Sequence, residues 1–152
     1  MGDELASSNV NRAYSLAGTS IAIFTFMLFF LYPRFARDEI NALLFQATLV
    51  VMGLATFSFV FASLYYYRAS LGRIDDSGRA GYSRQGDRFW LLGYTLLFLA
   101  PSLILFSVGL FAVGSTWFAL WLLYLLFVIR HFPRIQTAPK SSGSRPLKGA
   151  LT

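Results

Sequence analysis

Residues 90–129 read WLLGYTLLFLAPSLILFSVGLFAVGSTWFALWLLYLLFVI and contain no Asp, Glu, Lys, Arg or His. One membrane-spanning helix needs about 20 consecutive apolar residues, so this run of about 40 is too long for a single crossing. We therefore predict two transmembrane helices, 90–112 and 115–132, joined by a tight hairpin turn at 113–116. Arg130 lies at the end of the second helix, where a long side chain can reach the lipid headgroups.

Two further charge-free runs precede this stretch, at 14–32 and 42–67. Each is long enough for a helix to cross a hydrocarbon core of about 30 Å, at a rise of about 1.5 Å per residue. The whole chain has 152 residues, of which 56% are hydrophobic and 13% charged, against about 25% charged in soluble domains. These features predict an all-α integral membrane protein, a four-helix transmembrane bundle with a first hairpin connection at 33–41.

The basic residues predict the orientation of this bundle. Two of the 13 lysines and arginines, Arg34 and Arg37, lie in the connection 33–41, and the others lie on the side of the two termini and the loop 68–89. Cytoplasmic loops carry an excess of basic residues, so we predict that both termini are cytoplasmic. The short loops suit the inner, plasma membrane of a bacterium.

The remaining segments are polar. Residues 1–13 form a polar N-terminal segment without the pattern of a cleavable signal, and 133–152 are predicted to be a basic disordered tail. The loop 68–89 is predicted to be cytoplasmic, flexible and solvated. Its arginines are expected to contact anionic lipid headgroups, and no nucleic-acid-binding motif accompanies these basic segments. These predicted lipid contacts are Arg68, Arg73, Arg79, Arg84 and Arg88.

Two spans carry small residues at helical spacing, which allow helix backbones to approach closely in lipid. The third-span stripe repeats every seven residues, a spacing typical of left-handed helix crossings. The first-span stripe follows steps of three and four. The third-span stripe comprises Gly93, Ala100, Ser107 and Gly114, and the first-span stripe comprises Ser15, Gly18, Ala22 and Thr25. Both stripes can pack the four helices of one chain together, or they can contact a partner.

Pro101 interrupts the third span and predicts a kink, because proline cannot donate the helical hydrogen bond to the carbonyl of Leu97. The second span carries an uncharged polar face composed of Gln46, Gly53, Thr56 and Ser63. Such groups can line a pore, or they can form hydrogen bonds across helix contacts. The fourth span is rich in aromatic residues and leucine, so we predict that it faces lipid at the periphery.

The residue types present exclude several kinds of chemistry. The chain has no cysteine and a single histidine, which leaves few ligands for a metal or haem. None of the predicted spans contains the intramembrane carboxylate expected of a proton-coupled transporter, and no serine lies in a recognised arrangement with a base and an acid. We predict no metal site, no cofactor and no catalytic residues.

Two functional hypotheses fit these predictions. The first is a non-catalytic membrane subunit that assembles with itself or with a larger membrane complex through its small-residue stripes and the aromatic fourth helix. The alternative is a homo-oligomeric pore or channel for ions or small solutes, lined by the polar residues of the second span. One chain of four helices is too narrow to enclose an aqueous pore by itself.

Overall fold

The computed structural model describes residues 2–71 and 75–135, and within them the chain is all-helical and has no strand. The described part contains four helices, α1 (Gly2–Phe35), α2 (Ala42–Ser70), α3 (Asp76–Ser107) and α4 (Phe111–Ile135). Each contains a stretch long and apolar enough to cross a membrane, as the charge-free runs predicted. These four apolar helices indicate an integral membrane protein. Arg73 and most of the predicted tail, residues 136–152, lie outside the described residues.

The helices extend beyond the apolar runs, which corrects two of the predicted boundaries. The predicted flexible loop 68–89 is largely helical, because α2 continues to Ser70 and α3 already begins at Asp76. Most of the predicted polar segment 1–13 belongs to α1 in the same way. Arginine and glutamine are good helix formers, so a helix can continue into a polar segment after it has left the apolar part of a span.

The turn between the third and fourth helices lies at 108–110, whereas the sequence predicted it at 113–116. Gly109 has a positive φ of 81°, a conformation that glycine adopts without steric cost. The backbone N–H of Gly109 donates to the carbonyl of Phe106, and that of Leu110 donates to the carbonyl of Leu105. These two bonds form a Schellman motif, which ends α3 and starts the hairpin.

The first connection, 36–41, lies within the predicted hairpin 33–41. Asn41 caps the N-terminus of α2, since its side-chain oxygen accepts a hydrogen bond of 3.0 Å from the backbone N–H of Leu44. The backbone N–H of Asn41 also donates to the carbonyl of Ser107, at 3.0 Å. The start of α2 is thereby attached to the end of α3.

Within the described residues, the helices that make extensive contacts are neighbours in the chain. The α2 helix packs between α1 and α3, and α4 packs on α3. Met27 of α1, Met52 of α2 and Ala100 of α3 form one buried cluster. Only 6% of the apolar window of α4 is buried, against 39% for α2. The α4 helix therefore lies at the periphery, as its composition predicted, and α2 is the most enclosed helix.

Candidate functional site

The most extensive helix contact within the described residues is formed by large residues of α2 and small residues of α3. On α2, large buried residues recur every seven positions, and the facing residues of α3 are small and recur at the same interval. A β-carbon built on Gly93 would lie 2.7 Å from the Phe59 ring, and one built on Gly86 would lie 2.8 Å from the Tyr66 ring. We call this set the α2–α3 ladder. Phe59 packs on Gly93 and Tyr66 packs on Gly86, and Met52 lies in one buried cluster with Ala100. The buried residues Phe45 and Ser107 continue the two repeats by one further interval.

The structure places three residues of the third-span stripe, Gly93, Ala100 and Ser107, in this ladder. Gly114 is also buried, but it belongs to α4, because the turn comes earlier than predicted. A β-carbon there would lie 2.7 Å from the ring of Phe106. The ladder instead gains Gly86, which the sequence analysis assigned to the loop. The matching seven-residue repeat of large residues on the second span was the signal that could have identified it.

The first-span stripe has a different environment, because all four of its residues are exposed. No heavy atom beyond the local helix lies within 4 Å of a β-carbon built on Gly18. The face of α1 that is buried contains other small residues, Ala13, Ala17 and Ser20, followed by Met27. Within one chain, the first-span stripe therefore does not mediate helix packing.

The four residues of the second-span polar face are buried to different extents. Gln46 is exposed, Gly53 and Thr56 are half-buried, and Ser63 is fully buried. The Thr56 hydroxyl donates to the carbonyl of Met52 at 2.9 Å, and the Ser63 hydroxyl donates to that of Val60 at 2.7 Å. Serine and threonine hydroxyls commonly bond to the preceding turn of their own helix in this way. The polar groups of Thr56 and Ser63 are thus satisfied within α2, and the role of this face in a pore stays a prediction.

Aromatic side chains dominate the contact between α3 and α4. The indole N–H of Trp121 donates to the backbone carbonyl of Thr95 at 2.8 Å, and the rings of Phe98 and Tyr124 lie 5.3 Å apart. An apolar cleft of about 190 Å³ is bordered by Phe98, Trp121, Tyr124 and Trp117. The α3 helix continues through Pro101, and the predicted kink there stays a prediction.

One end of the helix assembly combines aromatic and basic residues. This end contains the N-terminal parts of α1 and α3 and the C-terminal parts of α2 and α4. Of the predicted lipid-contacting arginines, Arg68, Arg84 and Arg88 are exposed and Arg79 is half-buried. Their contact with anionic lipid stays a prediction.

A partly buried hydrogen bond lies next to this basic end, between a buried tyrosine and an exposed aspartate. The phenol of Tyr66, the last large residue of the α2–α3 ladder, donates to a carboxylate oxygen of Asp87 at 2.7 Å. Tyr66 is only 4% exposed, and a hydrogen bond to a charged acceptor is stronger than one between neutral groups. The sequence does not reveal this bond, because the polar composition of residues 68–89 predicts a solvated loop around Asp87.

The described residues contain no group of three or more His, Cys, Asp or Glu side chains placed to hold a metal ion. The absence of a metal, a cofactor and catalytic residues from the whole chain stays a prediction. Compared with known proteins, the chain matches no family model, no curated protein and no solved structure.

Proposed function

We propose that this protein is a non-catalytic membrane subunit that assembles, with itself or with a larger membrane complex, through the first-span stripe on α1. The observation that carries the proposal is the exposure of all four stripe residues. The α3 helix uses its small residues to contact α2, whereas the equivalent surface of α1 lies open. Small residues on an open helix face allow the backbone of another helix to approach closely in lipid.

The position of α1 in the fold supports this proposal. Within the described residues, the only helix with which α1 makes extensive contact is α2, and the stripe lies on the opposite, exposed side of α1. Gly18 lies in the middle of the stripe with no neighbouring atom in the space where a side chain would project. A partner helix could therefore pack against Gly18 without displacing any helix of this chain.

A leucine substitution in the stripe tests the proposal. Ala22→Leu places a large side chain on the contact surface, and we expect the particle extracted gently from its native membrane to lose its partner chains or its own copies. Ala119→Leu is the matched control, because Ala119 is likewise an exposed alanine, in α4. The readout is the mass of the particle and the identity of each chain that purifies with it.

Three results would contradict the proposal. The first is an unchanged particle with Ala22→Leu, and the second is a particle disrupted equally by Ala119→Leu. The third is ion or solute flux in liposomes that Gln46→Ala reduces, which would favour the homo-oligomeric pore. We expect no such flux from the unsubstituted chain or from Gln46→Ala, because a non-catalytic subunit of this kind needs no conduction pathway.

We further propose that both termini face the cytoplasm, in a bacterial inner membrane. The described arginines at the aromatic and basic end outnumber those of the connection 36–41, where Asp38 and Glu39 accompany Arg37. Because the chain has no cysteine, single introduced cysteines report the orientation cleanly. We expect an impermeant thiol reagent outside the cell to label Ala36→Cys and to leave Ala80→Cys unlabelled, and the reverse pattern would overturn the orientation.

A further inference from the structure

Two clefts meet at Tyr65, on the outer side of the contact between α2 and α3. One, of about 230 Å³, is lined by Tyr65 and three other residues of α2, namely Phe61, Leu64 and Arg68. The other, of about 430 Å³, is lined by Tyr65 and by residues of α3, namely Gly78, Gly81, Tyr82 and Gln85. The two clefts share Tyr65 in their lining, and we call the pair the Tyr65 groove.

Aromatic stacking fixes the shape of this groove. The ring of Tyr65 is stacked on that of Phe89, with centroids 5.4 Å apart, and it lies 6.4 Å from the ring of Tyr82. Phe61 extends the cluster, with its ring centroid 5.5 Å from that of Phe89. Because these rings support each other across two helices, the groove exists before a ligand binds.

The groove changes from apolar to basic along α2. Phe61 and Leu64 lie at its apolar part, and Arg68 lies one further turn along, in the last turn of α2. Seven residues of helix span about 10 Å, a length that suits the passage from the acyl chains of a lipid to its headgroup. Arg68 is exposed and makes no ion pair with any described acidic side chain, so its charge is available to a ligand.

Two carboxylates in this part of the chain have hydrogen-bond partners of their own. Asp87 accepts the hydrogen bond from Tyr66, and Asp75 accepts one from the hydroxyl of Ser77 at 2.7 Å. Gly81 leaves the α3 wall open, because no heavy atom lies within 4 Å of a β-carbon built there. The α3 side of the groove is therefore open at Gly81, between the bulkier side chains that line the rest of it.

We propose that the Tyr65 groove binds one anionic phospholipid, with its phosphate at Arg68 and an acyl chain against Phe61 and Leu64. Charge complementarity identifies the ligand, since a zwitterionic lipid would gain the apolar contact without the net attraction to the arginine. This inference goes beyond the proposed assembly function and does not depend on it. It assigns a defined site, whereas exposed arginines alone would attract anionic lipid diffusely.

Native mass spectrometry of the full chain in detergent tests this site. The protein is titrated with phosphatidylglycerol or with phosphatidylcholine of identical acyl chains, and the dissociation constant of the first bound lipid is measured per protomer. We expect phosphatidylglycerol to bind more tightly. Arg68→Gln should weaken its binding about fivefold, the effect of one interfacial arginine, and should leave the binding of phosphatidylcholine unchanged.

Arg130→Gln is the matched control, because it removes one exposed arginine at the same end of the assembly, on α4. We expect this variant to bind both lipids as the unsubstituted chain does. Phe61→Ala should weaken the binding of both lipids, since it removes apolar contact without changing the charge. Equal binding of the two lipids by the unsubstituted chain, or equal losses in Arg68→Gln and Arg130→Gln, would overturn the proposal.

Discussion

The third-span stripe and the first-span stripe have the same kind of sequence but different environments. Gly93, Ala100 and Ser107 are buried, with the Phe59 ring of α2 against Gly93, whereas Ser15, Gly18, Ala22 and Thr25 are exposed on α1. Small residues at helical spacing thus show where a helix can be approached closely. They do not show which helix approaches, or whether it belongs to the same chain.

The difference between the stripes depends on the residues opposite them. The second span supplies a large side chain every seventh residue, in register with the small residues of α3, as in the pair Phe59 and Gly93. No such set of large side chains covers the first-span stripe within the described residues. The space beside Gly93 is filled and the space beside Gly18 is empty, so substitutions at the two glycines should have opposite outcomes.

Gly93→Leu should produce the largest effect. A β-carbon at Gly93 already lies 2.7 Å from the Phe59 ring, and that ring is held edge-to-face by Trp90 and Tyr94, with centroids 6.0 and 5.5 Å away. The ring therefore has no free space into which to move. We expect a loss of about 3 kcal/mol or more in the free energy of unfolding, the upper range for overpacking a core, measured as a fall in Tm in detergent.

The control for this prediction is Gly18→Leu, which introduces the same side chain at an exposed position, where no heavy atom beyond the local helix lies within 4 Å of a β-carbon. We expect its free energy of unfolding to stay within about 0.5 kcal/mol of that of the unsubstituted chain. The measurement is the Tm of the monomeric protein in detergent, which should be nearly unchanged. Equal losses of stability in the two variants would contradict the distinction between a covered and an open stripe.

Gly86→Ala should have the next largest effect. Its new methyl group would lie 2.8 Å from the Tyr66 ring, so the ring must shift, and its hydroxyl must move relative to Asp87. We expect a loss of about 2 kcal/mol from the strained contact and the weakened hydrogen bond, again measured by Tm in detergent. Gly81→Ala, five residues earlier on α3 and beside open space, should leave the Tm nearly unchanged.

The sequence predicted the number of helices and most of the covered stripe, because charge-free runs and seven-residue repeats follow directly from lipid burial and helix packing. It could not predict the start of α3, since hydropathy reports where a helix leaves the lipid and not where its hydrogen bonds end. The helical segment that includes Gly86 and Asp87 was therefore missed, together with the Tyr66 bond.

One other error, at the second hairpin turn, and one alternative that the sequence leaves open, at the first span, have different physical causes. Gly109 and Gly114 are both plausible turn glycines, and only the backbone hydrogen bonds at Gly109 distinguish them. The first span has small residues on two opposite sides, one containing Ala13 and Ser20 and the other containing Gly18 and Ala22. Helical periodicity alone cannot decide which of these sides faces α2.

Trp121→Phe tests the aromatic contact between α3 and α4, and its effect can be set beside those of the substitutions in the α2–α3 ladder. This change removes the indole donor to the Thr95 carbonyl but keeps a ring in the same place. Hydrogen bonds between membrane helices contribute about 0.6 to 2 kcal/mol, so we expect a loss of about 1 kcal/mol, detected as a small fall in Tm in detergent. Trp117→Phe, at an exposed tryptophan of the same helix, should lower the Tm less. Equal falls would indicate that ring packing, and not the hydrogen bond, holds α4 on α3.

Gly53→Ala should have the smallest effect, and it extends the comparison of the stripes to α2 itself. Gly53 is half-buried on the most enclosed helix, but no heavy atom lies within 4 Å of a β-carbon built there. Alanine favours a helix over glycine by up to about 1 kcal/mol, and this gain shrinks in lipid, where an unpacked span stays helical to satisfy its backbone. We therefore expect a Tm in detergent equal to or slightly above that of the unsubstituted chain. A fall in Tm as large as that of Gly86→Ala would contradict this expectation. It would mean that the burial of the helix, and not the space beside the glycine, determines whether a substitution is tolerated.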